Sequence, residues 1–392
     1  MNKIKNSSMF LLWAGAAISI AEIYTGGIIA PLGLAKGLAA ILIGHLIGTL
    51  LLAFGGYVSF TGGKNAMEKV RDSFGSRGVK LVAALNVLQL LGWSAIMIIQ
   101  AGRALNGLIP TFHGLGLIVV GVIVFFWFFF FNNFSKRIND VSVLLLIVLC
   151  GVLFMNFSGT SPVLPKDSIS FMLALEISIS MPISWLPLIG DYAKNGESSK
   201  GVFLSSFLGY FLASSFLFIL GMLIMLYTGM DVIEFLSNNS FKFAGILVIL
   251  FSTVTTTFLD IYSAVLSSKQ IFKVKNENLM VLVYTVIATF LAYVLPIEGY
   301  QNFLLLIGSV FIPVYTIMFT DFLLKSGEEQ SAFNTGGILL AACGTLLYQY
   351  LSYNGIGMPT IIVLIAVSTA YIMFKKISGF GGIKNEQKHK IS

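Results

Sequence analysis

The chain has 392 residues, 57% of them hydrophobic and only 10% charged. Soluble domains carry about 25% charged residues, so no soluble fold of this length hides so much apolar surface, and lipid must be the solvent for much of the chain. The net charge of +7 does not imply a nucleic-acid partner, because the basic residues form no patch and lie in short clusters between apolar runs.

Apolar runs near the roughly 20 residues that cross a bilayer fall at 9–30, 36–58, 80–104, 113–132, 140–158, 168–191, 202–227, 241–267, 278–295, 300–323, 335–352 and 358–375. Backbone in lipid must satisfy its own hydrogen bonds, so these twelve spans are expected to be helices. The alternating pattern of a membrane barrel is absent. With both termini cytoplasmic, the outside holds Lys36, Arg103, Lys166 and Lys242, and the other twenty of the 24 Lys and Arg lie inside. That asymmetry sets the orientation, and the cell (inner) membrane is the expected location. The first run is too long for the apolar core of a cleavable signal. The stretch 61–79 and the basic cytoplasmic tail 376–392 are the longest polar segments, so a single integral membrane domain is expected over 1–392. Cys150 and Cys343 are read as small buried hydrophobes. His45, His113 and His389 are scattered and suggest no metal site. No nucleotide-binding glycine loop and no nucleophile–base pair is visible, so an enzyme is not expected.

Function in such a chain shows where polarity survives inside the membrane. Span 1 carries Ser19, Glu22, Thr25 and the pair Gly26–Gly27. The glycines beside a carboxylate suggest a helix broken there, with carbonyls freed for a cation; the alternative is a glycine pair for close helix packing. Span 3 carries Gln89, Gly92, Trp93, Ser94 and Gln100. Trp93 is far from either interface and can be a stacking platform for a flat ring or packing filler; helical spacing puts Gln89 on its face. Span 6 carries Ser184 and Trp185 between Pro182 and Pro187. Two prolines five residues apart should interrupt it, although a simple kink is possible. Interrupted helices five spans apart point to a transporter binding site at mid-membrane. Span 8 carries Ser252, Thr253, Thr255, Thr256, Thr257 and Asp260, oxygen ligands suited to a hard cation; some of these hydroxyls are expected to bond back to their own helix. Glu176, Asp191 and Asp321 lie at span ends, the last two near Lys194 and Lys325, as structural ion pairs or gates.

These residues carry a resemblance. Thr25-Gly26-Gly27, Leu42-Ile43-Gly44, Ser73-Phe74-Gly75 with Arg77-Gly78, Gly92-Trp93, Gly190-Asp191-Tyr192, Thr255-Thr256, and Pro313 followed by Thr320-Asp321-Phe322 fall in the order and spacing of the nucleobase–cation symporter-1 family of cytosine permeases and hydantoin transporters. The resemblance runs from about Trp13 to Lys325. The segment Pro182 to Tyr192 looks most like the CytX branch, which is assigned to hydroxymethylpyrimidine, a thiamine precursor. The resemblance implies an all-α, leucine-transporter-like fold of about twelve membrane helices with broken helices 1 and 6. A first inverted repeat would span 8–158 and a second 168–323, followed by two accessory helices at 335–375.

The same resemblance places the substrate between spans 1, 3, 6 and 8, with Trp93 as the stacking ring. It places a coupling cation on the carbonyls of Gly15, Ile18 and Ser252 and the hydroxyls of Thr255 and Thr256. The chain departs from the family at three points. The family's second stacking Trp aligns with Pro182, and Trp185 three residues on is the alternative ring. The family's Gln four residues after the Trp becomes Met97, leaving Gln89 or Ser94 to serve. The Asn positions of span 8 are replaced by residues including Asp260. The expected substrate site is therefore Trp93, Ser19, Glu22, Gln89, Met97, Pro182, Trp185 and Asp260. Its carboxylates suit an aminopyrimidine, whose exocyclic NH₂ and protonated ring nitrogen can pair with a carboxylate. The expected function is a secondary active importer of hydroxymethylpyrimidine or a related thiamine precursor, driven by Na⁺ or H⁺ and using no other cofactor. A cytosine or purine permease is the alternative, then a Na⁺-coupled amino-acid symporter on the same fold. A channel or sensor is the alternative of a different class.

Overall fold

In a computed structural model the chain is described at residues 3–108, 114–130, 162, 168–237, 242–295, 300–326 and 331–377. Among these, fourteen α-helices follow one another: α1 (Asn6–Ala17), α2 (Ile20–Ile29), α3 (Gly33–Gly62), α4 (Ala66–Leu108), α5 (Leu115–Phe130), α6 (Phe171–Ile183), α7 (Leu186–Ala193), α8 (Ser199–Thr228), α9 (Val232–Ser237), α10 (Lys242–Ile271), α11 (Glu277–Val294), α12 (Tyr300–Leu323), α13 (Thr335–Tyr353) and α14 (Pro359–Ile377). Eleven of the twelve expected spans coincide with these helices or helix pairs; the fifth, 140–158, lies outside the described residues, as do residues 378–392 of the tail. Seven helical segments among the described residues are both long and apolar enough to cross a membrane. Leu88, Phe243, Phe290 and Leu346 stand exposed on the outer faces of the bundle, as expected where lipid rather than water is the surroundings. Cys343 is exposed on α13 rather than buried, and Cys150 lies outside the described residues.

Span 1 is interrupted, but not at its glycine pair. α1 ends at Ala17, Ile18 is extended (φ −81°, ψ 93°), and Ser19 (φ −147°, ψ 159°) starts α2 by accepting the Glu22 N–H at 3.4 Å. Ser is a favoured N-cap, so the break sits where a side chain replaces a lost backbone partner. Gly26 and Gly27 lie inside α2 and pack it against α8. A Cβ on Gly26 would run into the backbone of Phe218, and one on Gly221 into the Ile23 carbonyl. The pair is therefore the small-residue seam of two close helices.

Span 6 breaks between its two prolines. α6 stops at Ile183, Ser184 and Trp185 make the link, and α7 starts at Leu186 with Pro187 in its first turn, where the missing N–H costs nothing. The stretch 61–79, read as polar loop, is helical from Ala66 and bends at Gly75 (φ 78°). A Cβ there would collide with the carbonyl of Ser331, so only glycine lets the segment before α13 close over the helix.

Polar ties fasten the outer helices. The Glu176 carboxylate on α6 accepts from the Tyr348 hydroxyl of α13 (2.9 Å) and from the Thr360 N–H (3.1 Å) and hydroxyl (2.6 Å) of α14. Asp321 pairs with Lys375 of α14 at 2.8 Å, not with Lys325, because the last helix lies alongside the end of α12. Asp191 accepts from the Ala66 N–H at 3.2 Å, a carboxylate at a helix N-terminus.

The glycine seam makes a sharp prediction. Gly26→Ala should destabilise the protein by about 1–3 kcal/mol through overpacking against immovable backbone. Gly27→Ala, whose Cβ would have its nearest neighbour at 3.6 Å, should be tolerated. Thermal unfolding in detergent reads both; equal midpoints would show that the seam is slack.

Candidate functional site

The two helix breaks face each other across a small closed cavity. Ser19 and Glu22 reach it from the start of α2, Trp93 and Met97 from α4, Met181 and the linking Ser184 and Trp185 from span 6, and Asp260 from α10. Its volume is about 10 Å³, room for roughly one water, so the site is shut in this conformation. Of the expected substrate residues, Ser19, Glu22, Trp93, Met97, Trp185 and Asp260 line it, and Gln89 and Pro182 do not. Gln89 donates to the Ser184 carbonyl at 3.0 Å and to Asn86 at 2.9 Å. It thus satisfies a carbonyl at the break of span 6. Pro182 packs towards α3, where a Cβ on Gly48 would press on its ring.

Trp93 is held edge-on by two rings of α12, Tyr300 and Phe303, each with its centroid 5.7 Å away. Gly92 makes this possible, since a Cβ there would reach the Phe303 ring at 2.5 Å. Tyr300 is positioned in turn by the Thr25 hydroxyl, which donates to it at 2.9 Å. The Trp93 indole N–H has no hydrogen-bond partner among the described residues. The second cavity ring, Trp185, meets Trp13 at 6.1 Å and Tyr210 at 6.4 Å in edge contacts.

The two cavity carboxylates differ. Glu22 is held from α8: the Tyr210 hydroxyl donates to Oε1 at 2.7 Å and the Ser214 hydroxyl lies 2.6 Å from Oε2. Asp260 is equally buried, but its Oδ2 has no partner among the described residues. An unpaired polar atom in an apolar interior is costly, so Asp260 and the Trp93 N–H form an unsatisfied acceptor and donor on one cavity.

Two of the residues expected to hold a cation, Ile18 and Thr256, meet at the break of span 1. The Ile18 carbonyl and the Thr256 hydroxyl converge at 3.5 Å. The Gly15 carbonyl accepts the Ile18 N–H at 3.0 Å. Thr255 is buried beside Thr256 on α10, and Ser252 sits one turn earlier on the same helix, its side chain outside the described residues. Thr257 bonds back to the Thr253 carbonyl at 2.7 Å, as a membrane threonine commonly does.

Sequence reasoning passed over Tyr210, Ser214 and Tyr300. The first two are polar residues four apart inside an apolar span, hence on one helical face, and that spacing is the signal that could have found them. Tyr300 lies at the start of a span, where a tyrosine reads as an interface residue.

Two interrupted helices facing each other over a buried polar cavity, five spans apart, define a leucine-transporter-like fold. Solved structures agree on the fold. The inward-facing conformation of Mhp1 superposes with a TM-score of 0.77 at 18% identity, covering 96% of this chain and 92% of that one. Mhp1 in a closed conformation with bromovinylhydantoin bound gives 0.78 at 18% identity, covering 96% and 94%. A Na⁺-coupled sialic acid symporter gives 0.65 at 13% identity, covering 93% and 89%. The chain belongs to the family of permeases for cytosine/purines, uracil, thiamine and allantoin, whose model matches residues 2–335. Its relatives include the vitamin B6 transporter TPN1 of Saccharomyces cerevisiae, 23% identical over 364 residues, 83% of this chain. The chain spans 62% of that relative's length. YxlA of Bacillus subtilis (strain 168), provisionally named a purine-cytosine permease, is 23% identical over 359 residues, covering 83% of this chain and 78% of that protein.

Because Gln89 satisfies the Ser184 carbonyl, Gln89→Leu should leave that group unpaired and cost about 1–3 kcal/mol. Gln89→Glu, which keeps the shape but loses the donor to both the Ser184 carbonyl and Asn86 Oδ1, should not rescue it. Unfolding midpoints of the two variants equal to that of the parent would refute the assignment.

Proposed function

We propose that this chain is a secondary active importer of a small flat nitrogen heterocycle, coupled to a cation and working by alternating access in the cell membrane with both termini cytoplasmic. The observation that carries it is the pairing, on one closed cavity between two helix breaks, of a buttressed Trp93 ring with an unpartnered Asp260 oxygen. A ring slid against Trp93 gains stacking, and an amino group on its edge gives Asp260 the donor it lacks. An aminopyrimidine such as hydroxymethylpyrimidine satisfies both. Cytosine carries the same amino edge and fits the same description, and the family includes permeases for cytosine/purines and thiamine. Glu22 is a weaker candidate for recognition, since hydroxyls of α8 already engage both of its oxygens.

The coupling cation is assigned to the Ile18 carbonyl and the Thr256 hydroxyl, with Gly15, Ser252 and Thr255 as the remaining ligands. The meeting of the Ile18 carbonyl and the Thr256 hydroxyl at the break of span 1 supports Na⁺, a hard ion that takes carbonyl and hydroxyl oxygens. Loading it would fix the position of the break and so of Ser19 and Glu22 beyond it.

Ligand binding should raise the unfolding temperature by mass action. Purified protein is therefore screened against hydroxymethylpyrimidine, cytosine, adenine, uracil and hydantoin. Stabilisation by the amino-bearing rings above uracil and hydantoin is expected; the reverse ranking would overturn the role of Asp260. Trp93→Ala should weaken binding of the best ligand by roughly 1–3 kcal/mol if stacking matches that on nucleic-acid binders, with Trp93→Phe milder. Thr256→Val keeps the shape and removes the oxygen. It should reduce Na⁺-dependent uptake into proteoliposomes by more than the loss of the Ile18 contact lowers the unfolding midpoint; equal Na⁺ dependence in both proteins would remove this site.

A further inference from the structure

Glu22 is the cavity end of a hydrogen-bonded chain that runs out of the cavity through two other spans. The Ser214 oxygen on α8 lies 2.6 Å from Glu22 Oε2 and also 2.6 Å from Nε2 of His45 on α3. Nδ1 of the same imidazole lies 2.9 Å from the Ile41 carbonyl. All three side chains are buried. The glycine seam of α2 and α8 closes beside them, and the Phe218 ring meets the imidazole edge at 4.4 Å.

Counting hydrogens decides what this chain holds. A carbonyl oxygen only accepts, so Nδ1 of His45 must carry a hydrogen. The two contacts of Ser214 each need a hydrogen between heavy atoms, and the serine hydroxyl supplies one. The second must come from an end: from a protonated Glu22 with neutral His45, or from imidazolium His45 with ionised Glu22. In the first state Glu22 donates to Ser214 and Ser214 donates to His45; in the second both bonds point the other way. The two states carry the same number of protons and the same net charge. Passing between them moves one proton from Glu22 Oε2 to the serine oxygen while the serine hydrogen moves to His45 Nε2. Removing the proton altogether leaves two acceptors facing one donor, and a net negative charge without a counter-ion in the membrane interior, which is costly.

We propose that Glu22, Ser214 and His45 form one site for one dissociable proton, shared between the carboxylate and the imidazole and loaded from the central cavity. The other titratable groups facing Glu22 are Tyr210 from α8, which donates to Oε1, Tyr300 from α12, and Asp260 from α10 across the cavity. Among the described residues no lysine or arginine pairs with Glu22, so a proton is the cation that neutralises it. On the transport reading proposed above, this proton occupies the carboxylate at the cavity wall, is sealed in when the cavity is closed, and exchanges with water only when the cavity opens. The site also ties α2, the half-helix beyond the first break, to α3 and α8.

The chain has three histidines, so ¹⁵N-histidine NMR of the full protein in nanodiscs can follow His45, assigned by its loss in His45→Gln. Infrared difference spectra follow the Glu22 carboxyl band, assigned by its loss in Glu22→Gln. On raising the pH, the His45 and Glu22 signals are expected to change together at one midpoint. In Glu22→Gln the amide N–H takes the place of the carboxyl hydrogen, so His45 should stay neutral over that range. In His45→Gln the new amide N–H supplies the second hydrogen, Glu22 can ionise with its bonds intact, and its midpoint should fall by about one pH unit, a tenfold loss of proton affinity. Ser214→Ala should separate the two titrations, and decides the matter if a Gln variant fails to fold. Independent midpoints in the parent, a His45 titration unchanged in Glu22→Gln, or a carboxyl band that persists until unfolding would each overturn the site. No substrate enters these measurements, so their failure leaves the transporter reading standing, and a failed uptake assay leaves the proton site standing.

Discussion

A peptide group in lipid has no water to fall back on, and each unpaired N–H or C=O costs several kcal/mol. This chain nonetheless stops its helices at mid-span twice, at Ile18–Ser19 and at Ser184–Trp185. Much of the buried polarity is arranged around those two stops. Ser19 caps the first N–H groups of α2, Thr256 reaches the Ile18 carbonyl, and Gln89 reaches the Ser184 carbonyl. Two of the groups left without a partner among the described residues, the Trp93 N–H and Asp260 Oδ2, belong to residues that line the cavity between the two stops.

The same constraint explains how tightly the surrounding helices are packed. A broken helix has lost part of its own hydrogen-bond ladder and must be held from outside. α2 is held by the glycine seam with α8 and by two hydroxyls on its carboxylate, and α6 by Glu176, which gathers α13 and α14. The accessory helices therefore lean on a broken span. Asp321 and Lys375 make a second tie at the other end of α14.

The closed cavity also separates two roles that a list of polar residues merges. Among the described residues Asp260 Oδ2 and the Trp93 N–H have no partner, whereas Glu22 is engaged on both oxygens. A group whose partners lie in the protein responds to protonation, and a group without them responds to substrate. On the function proposed above, that division lets recognition and coupling share one cavity wall.

Composition, apolar run length and the placement of Lys and Arg determined by themselves that the chain is a helical membrane protein and where its spans fall, because bilayer thickness sets helix length directly. The prolines of span 6 marked its break for the same local reason: a missing N–H acts where it stands. The break of span 1 was mislocated to Gly26–Gly27, although Ser19-Ile20-Ala21-Glu22 has the Ser-x-x-Glu form of a helix start; a glycine pair reads alike whether it ends a helix or lets two helices touch, and only the nearness of Phe218 distinguishes them. Which carboxylate is satisfied, that Gln89 serves a carbonyl rather than the cavity, and that His45 meets Ser214 across 169 positions of sequence were decided by the tertiary structure alone. Each depends on which faces of distant helices come together, and a hydrogen-bond partner supplied by another helix leaves no mark on the local sequence.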